Sequence, residues 1–480
     1  MDIQSSTVKA SKWSLMTEIA TKLISPIVNM ILARLIAPEA FGMVATITMI
    51  TSFADIFTDA GFQKYIIQRD VIDEEDLNKD TNVAFWTNLT LSCFIWIIIF
   101  LFRDGLANAV GNSGLGNAIA IAALTLPLTS FSSIQMARYR RSFDFKTLFF
   151  VKIIEVIIPV FVTVPLAFII RSFWAIILGN ICVNLANAVI LTTKSEWKPS
   201  FFYSISKLRQ MIGFSIWTLM EQLLGWANLN VGIFIVGKYL SDYYLGLYKT
   251  SMVTTNQVLM IFVNAFSPVL LAALSRMKDC PDEFNKMFYS FISKLAFIVI
   301  PLGVGIFIYS NLFTSVMLGS QWSEAAEYIG LLGLVISFHF VFGYFSMEVF
   351  ISLGKPIYSV LTQVLCLAVL LPVLLFAATK GYTILCYSRC IIVLWSVIVD
   401  CVLMKKVAGI STVTIIRNII PSFIATFIMA VFGIITRTIF DSTIWDLFTV
   451  VMCIILYFVL MYIYPKTRKI EMELINLIKR

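Results

Sequence analysis

Six ionisable side chains sit in long apolar stretches where charge is expensive: Glu18, Lys22, Asp55, Asp59, Glu221 and Lys249. Ser14, Glu18, Lys22, Ser25 and Asn29 recur at steps of three and four, and so do Thr48, Ser52, Asp55 and Asp59, so each set occupies one face of a helix. A later pair of stretches repeats the pattern with Thr218, Glu221, Gln222, Gly225 and Asn228, then Lys249, Asn256, Asn264 and Ser267. Charge facing lipid costs a few kcal/mol per residue, so these faces should point into a bundle or a water-filled cavity. There the carboxylates can take up a proton or a cation, and the lysines can hold an anion as point charges. Plainer readings stand beside these: Glu18 and Lys22 at i, i+4 can pair with each other, and the asparagines and Ser267 can bind helix to helix.

Further along, Glu348 falls on the helical face of Ser337 and Tyr344, and Arg389 on that of Tyr382 and Cys386. An arginine at such depth needs an acid or an anionic ligand. Lys152, Lys294 and Asp400 lie close enough to span ends to reach water, His339 reads as a packing residue, and Trp322 reads as an interfacial anchor. Eight cysteines without a CxxC pair and a single histidine give no metal site and no disulfide framework, and no cofactor is expected.

The elements that must position these residues are membrane helices. Of 480 residues 59% are hydrophobic and 13% charged, and the mean hydropathy is +0.89. The expected fold is an all-α polytopic membrane protein of about fourteen spans, since backbone groups in lipid must pair within their own segment. Four of the spans are placed near 82–102, 115–137, 147–170 and 325–352. The first apolar segment is interrupted by Glu18 and Lys22 and is too long for a signal core, so it is expected to remain as the first span. The net charge of +8 lies in connecting loops, which argues against nucleic acid as a partner. One set of loops and the termini carry most of the cations, among them Arg138, Arg140, Arg141, Lys405 and Lys406. The opposite loops hold Arg34, Arg103, Arg171, Lys238, Lys380 and Arg437. Both termini are therefore expected in the cytoplasm.

Trp13-Ser14-Leu15-Met16 returns as Trp217-Thr218-Leu219-Met220, Arg34 aligns with Lys238, and Gly42 with Gly246, all 204 residues apart. The expected organisation is two parallel six-helix lobes around a central cavity, residues 1–207 and 208–407, followed by two additional helices and a basic tail over 408–480. The connections are short and leave no room for a folded extramembrane domain.

Several stretches resemble a known family. Ala33-Arg34-Leu35-Ile36-Ala37-Pro38-Glu39-Ala40-Phe41-Gly42, the Asp59-Ala60-Gly61-Phe62 to Gln68-Arg69 run, Ala84-Phe85-Trp86-Thr87-Asn88, and Arg141-Ser142-Phe143-Asp144-Phe145-Lys146 are similar to the polysaccharide-transporter family, which includes O-antigen and capsular-repeat flippases. Leu318-Gly319-Ser320-Gln321-Trp322-Ser323-Glu324-Ala325-Ala326 and Leu353-Gly354-Lys355-Pro356 continue the likeness, which fades in the last four spans. The resemblance implies a multi-pass protein of the bacterial inner membrane that works by alternating access, in the superfamily that also holds multidrug extruders and the peptidoglycan-precursor flippase. It implies an oligosaccharide repeat unit linked through diphosphate to undecaprenol as substrate, for O-antigen, capsule or exopolysaccharide. Membrane lipids, a polysaccharide polymerase and chain-length machinery are the implied partners.

On that reading Lys22, Lys249, Arg389 and Asn256 contact substrate, and Trp217 and Trp226 stack on sugars or simply pack. Glu18, Asp55, Asp59, Glu221 and Glu348 become candidates for coupling to a proton or sodium gradient. Relatives moving diphosphate-linked substrates are expected to have arginine-rich cavities, and the acids here depart from that. A cation-coupled drug or small-molecule antiporter of the same superfamily is the alternative. An enzyme, a polymerase or ligase acting on the same lipid-linked sugars, is disfavoured because the outer loops are short and poor in charge.

Overall fold

The computed structural model describes residues 3–59, 61–69, 73–440 and 442–464, and all regular structure among them is helical. Eleven helical stretches are long and apolar enough to cross a membrane, and helices Ile3–Leu35, Asp242–Arg276 and Tyr382–Ala408 are longer than a bilayer requires. The protein is thus all-α and multi-pass, as its composition demands. The chain forms two compact units, residues 1–249 and 250–480.

The first unit contains α1 (Ile3–Leu35), α2 (Pro38–Asp59), α3 (Phe62–Gln68), α4 (Glu74–Leu101), α5 (Arg103–Ala109), α6 (Gly116–Ala122), α7 (Thr125–Arg141), α8 (Phe145–Ile158), α9 (Val164–Ile170), α10 (Phe173–Lys194), α11 (Ile205–Tyr239) and the first two turns of α12 (Asp242–Arg276). Three sequence-placed spans are refined here. The third begins eight residues early, because Asp73 accepts a hydrogen bond from the Glu75 N–H and three acids in the first turn suit the positive end of the helix. The fourth is broken between Ala122 and Thr125. The fifth starts at a cap, Asp144 accepting from the Thr147 N–H at 3.1 Å, and widens at Pro159–Thr163, where the proline lacks the N–H that a regular turn requires.

Val28 and Leu32 of α1, with Ile36 just past its end, pack on Val164, Ala167 and Ala175, which leaves Lys22, Ser25 and Asn29 to one side of that apolar face. Where α1 turns into α2 and α11 into α12, the backbones meet at two glycines. A Cβ on Gly42 would lie 1.9 Å from the Asp242 carbonyl oxygen, and one on Gly246 would lie 1.9 Å from that of Pro38. The contact is reciprocal, and both partners differ by the 204 residues read from the sequence. Asn112 hydrogen-bonds the Asp242 carboxylate at the same end.

The second unit continues α12 and adds α13 (Pro281–Ile308), α14 (Ser310–Met317), α15 (Ala326–Phe342), α16 (Ser346–Ser352), α17 (Ile357–Ala378), α18 (Tyr382–Ala408), α19 (Thr412–Arg437) and α20 (Thr443–Ile463). α13 packs on α15 and α19, and α17 on α18. Gly303 and Gly333 let α13 and α15 close together, since a Cβ on the first would meet Ser337 and one on the second Ile306. The stretch expected as one span over 325–352 lies in a single membrane-crossing stretch, Ser320–Ser352, built of two helices because the ladder breaks at Gly343–Phe345. α18 ends at Gly409, whose φ of 70° is a left-handed conformation that glycine adopts without strain, after Lys405 and Lys406 have met the negative end of the helix.

Candidate functional site

A polar pocket of about 270 Å³ opens in the first unit among α2, α6, α7 and α10. Thr48, Thr51, Ser52 and Asp55 descend one face of α2, Thr129 faces them from α7, and Asn180 and Asn184 project from α10 at i, i+4. Ile47, Leu126 and Ile177 close the apolar side. The Asp55 Oδ1 accepts hydrogen bonds from the hydroxyls of Thr58 at 3.0 Å and Thr129 at 3.3 Å. The hydroxyls of Thr51 and Ser52 donate to carbonyls of their own helix. One carboxylate among neutral oxygens can take a proton or a small monovalent cation, and it repels anions. Among the described residues no group of three His, Cys, Asp or Glu could hold a metal ion.

α11 packs against α2 beside this pocket, with the Trp226 Nε1 donating to the Ser52 Oγ at 3.0 Å and its ring 4.7 Å from that of Phe53. Trp226 therefore packs on α2 rather than standing free. Glu221, one of the coupling candidates, pairs with Lys64 at 3.3 Å, both about half exposed. Near the start of α4 a denser network forms: Asp80, 1% exposed, is held by Arg69 and Lys207, and both cations also reach Asp76. Arg138 donates to Asn78, and Arg141 donates to the carbonyls of Ile66 at 2.8 Å and Arg69 at 2.6 Å, where α3 ends. These bonds fasten α3, α4, α7 and the start of α11 to one another.

The remaining expectations meet different fates. Lys22 on α1 and Lys249 on α12 are half-buried. The side chains of Glu18, Asp59, Trp217 and Asn264 lie outside the described residues. Asn256 donates to the Met252 carbonyl of its own helix at 2.8 Å. Arg389 is half-buried, and its Nε has no hydrogen-bond partner among the described residues. Glu348 accepts from Ser267, while its Oε2 is buried without a partner.

Three expectations are corrected. Glu348 does not continue the helical face of Ser337, because the break at Gly343–Phe345 separates them. Trp322 is no interfacial anchor: it is fully buried, in a segment where the chain folds back between α14 and α15. Asp400 does not reach toward water. It is 2% exposed, accepts from the Ser346 Oγ at 2.8 Å, and has the His339 Nε2 at 3.8 Å. His339, read as a packing residue, thus faces a carboxylate from a helix 54 residues away from Ser346 in sequence.

Sequence reasoning missed Thr129, Asn180 and Asn184. Their signal was present, two asparagines one turn apart in an otherwise apolar span, but it carries no charge and so went unweighted. It also missed the Arg69–Asp80–Lys207 network, whose members look like ordinary loop charges until the helices meet.

A multi-pass helical bundle with polar residues gathered inside it is the build of a membrane transporter. The comparisons define the family: residues 31–327 match the model described as "Polysaccharide biosynthesis protein", and the chain belongs to that family. It is 21% identical over 341 residues to the lipopolysaccharide biosynthesis protein WzxC of Escherichia coli (strain K12), covering 70% of this chain and 68% of that one. It is 20% identical over 322 residues to the succinoglycan biosynthesis transport protein ExoT of Rhizobium meliloti (strain 1021), covering 67% and 64%. In fold it is similar to the lipid II flippase MurJ, described in an inward closed conformation, with a TM-score of 0.74 at 14% identity over 95% of this chain and 98% of that one.

Proposed function

We propose that this protein is a flippase for undecaprenyl-diphosphate-linked oligosaccharide repeat units, moving them from the cytoplasmic to the outer leaflet by alternating access, and that it is not an enzyme. The observation that carries this is the family match over residues 31–327. The physical setting supports it: the sugar head cannot enter hydrocarbon, and the bundle gathers polar side chains inside helices that are otherwise apolar. Lys22 and Lys249 are the cations assigned to the anionic head. The Asp55 pocket, with one carboxylate and uncharged oxygens, is the coupling-ion site.

The second unit offers a complement to the substrate's lipid. An apolar cavity of about 510 Å³ among α13, α14, α19 and α20, lined by Phe297, Pro301, Leu312, Met429, Ile454 and Phe458, has the chemistry of a hydrocarbon chain. The two lobes are read as copies of one unit about an axis along the membrane normal. The reciprocal packing of Gly42 on Asp242 and of Gly246 on Pro38 supports that reading. On this reading the protein belongs to the bacterial inner membrane, and the charge asymmetry of its loops supports both termini in the cytoplasm.

The test is the fate of the lipid-linked sugar in cells lacking the protein. Accumulated repeat units on the inner leaflet with loss of surface polysaccharide, both reversed by the wild-type chain, are expected. Unchanged polysaccharide and no accumulated precursor, with no substitute transporter present, would overturn the reading in favour of a cation-coupled small-molecule antiporter.

A further inference from the structure

The first unit holds an intramembrane acid that none of the sites above uses. Glu155 lies on α8 in the run Lys152-Ile153-Ile154-Glu155-Val156-Ile157-Ile158, and its side chain is 17% exposed. A carboxylate in such a span is costly unless something meets it. Two groups do: the Lys152 Nζ, one turn back on α8 and 2.6 Å from Oε2, and the Asn187 Nδ2 on α10, which donates to Oε1 at 2.8 Å. Lys152 is half exposed, so solvent screens its charge and the pair holds the acid only weakly.

Asn187 is not satisfied by its bond to Glu155. It is 6% exposed, and its Oδ1 is buried with no hydrogen-bond partner among the described residues. A purely structural clasp between α8 and α10 would not leave a buried acceptor without a donor. Asn180, Asn184 and Asn187 fall at i, i+4 and i+7, on one face of α10, and the first two line the Asp55 pocket. Asn184 donates its amide N–H to the Asn180 carbonyl at 2.8 Å, which leaves its own side-chain oxygen as an acceptor. From Asp55 toward the Lys194 end of α10 this face therefore offers oxygens, those of Asn184, Asn187 and Glu155, and ends at an exposed lysine. Amide and carboxylate oxygens with a single negative charge are the ligands a hard monovalent cation takes in exchange for its water shell.

The other cations of the neighbouring helices stand off or are bound elsewhere. α1 runs beside α8 in the same direction, with Trp13 against Phe149 at 5.0 Å and Val28 in one cluster with Val164, a register that sets Lys22 level with Ile158, about one turn past Glu155. Lys146 is exposed in the first turn of α8, and Lys194 lies over the Phe150 ring. On α7, Arg138 is bound to Asn78, Arg140 to Gln63, and Arg141 to the end of α3.

We propose that Glu155 and Asn187 form a second station for a small monovalent cation, one helical turn from the Asp55 pocket, with the Lys152 ammonium as the charge that the ion displaces. A half-turn of the Asn187 amide exchanges its donor for its acceptor and sets Oδ1 beside the Glu155 Oε1, where the two oxygens share the ion. Lys152 swings into water as the ion arrives and returns as it leaves, so the acid always faces a positive charge. The binding stands on these residues; only its place on an ion's route rests on the reading of the Asp55 pocket as the coupling site.

The test is binding of radiolabelled sodium to the purified full-length protein in lipid nanodiscs, at fixed pH and ionic strength. The wild type is expected to bind two ions per chain, and Asp55→Asn and Glu155→Gln one each. Asn187→Leu, which removes no charge, is expected to weaken the Glu155 site by about tenfold or more, through loss of an oxygen ligand. Lys152→Gln is expected to tighten it by about threefold, because the competing ammonium is gone. If only Asp55→Asn loses an ion, the pocket reading stands and the station is overturned; if only Glu155→Gln does, the station stands and the pocket reading falls. No sodium bound by the wild type overturns both. Should Glu155→Gln not fold, the opposite shifts of Asn187→Leu and Lys152→Gln decide the same point, and their absence overturns the station.

Discussion

In the proposed reading ion coupling turns on Asp55, a carboxylate with hydroxyl and amide neighbours and, among the described residues, no cation paired with it. Asp55→Asn keeps the size and the hydrogen bond to Thr129 but loses the exchangeable charge, so transport in vesicles is expected to become indifferent to both the pH and the sodium gradient. Coupling that persists in the variant would exclude the pocket. Lys22→Ala and Lys249→Ala are expected to impair transport while leaving membrane abundance intact, since point charges that hold a diphosphate contribute to binding rather than folding. Normal surface polysaccharide in both variants would remove that assignment. Asp80 belongs to a different kind of site. It is 1% exposed between Arg69 and Lys207, so Asp80→Ala leaves two cations facing an empty place and should cost about 3–5 kcal/mol. A thermal melt of the detergent-solubilised protein reads that loss directly.

Helices, not single residues, decide how close the first unit can pack at the α1–α2 and α11–α12 turns. Ridges of side chains usually hold helix axes 8–10 Å apart; glycine removes the ridge and lets backbone meet backbone. The Cβ of an alanine at position 42 would lie 1.9 Å from a carbonyl oxygen that has no side-chain freedom to move aside. Gly42→Ala is therefore expected to destabilise by about 1–3 kcal/mol and to reduce transport, and Gly246→Ala to do the same by the reciprocal contact. Gly225→Ala, on α11 with open space around it, is the control and should leave melting temperature unchanged. The break between α15 and α16 is the second element-scale feature, since it converts a continuous span into a joint that Asp400 holds from the side.

For the whole molecule, loop charge asymmetry predicts that reporters fused to either terminus read out on the same side of the membrane, the cytoplasmic one. Reporters on opposite sides would mean an odd number of crossings and would undo the pairing of the two lobes. The apolar cavity of the second unit suits a hydrocarbon chain and the polar pocket of the first a proton or small cation, each within its own compact unit.

By itself the sequence determined the helical, multi-pass class and the helices on which Asp55 and Trp226 lie. These follow from hydropathy over some twenty residues and from the 3.6-residue period, both local properties of the chain. It also aligned Gly42 with Gly246 at an offset of 204, though not in a way that says they touch. The tertiary structure alone decided which polar residues share a site. Thr129, Asn180 and Asn184 come from α7 and α10, Asp80 meets Lys207 from α11, and Asp400 meets His339 and Ser346 across a break that hydropathy cannot register, because Gly343 to Phe345 is as apolar as the helices it divides. Burial followed the same rule: Trp322 and Asp400 were read by their distance along the chain from a span end, whereas burial depends on what the fold lays over them. Periodicity says which way a side chain leaves its helix; only packing says what it meets.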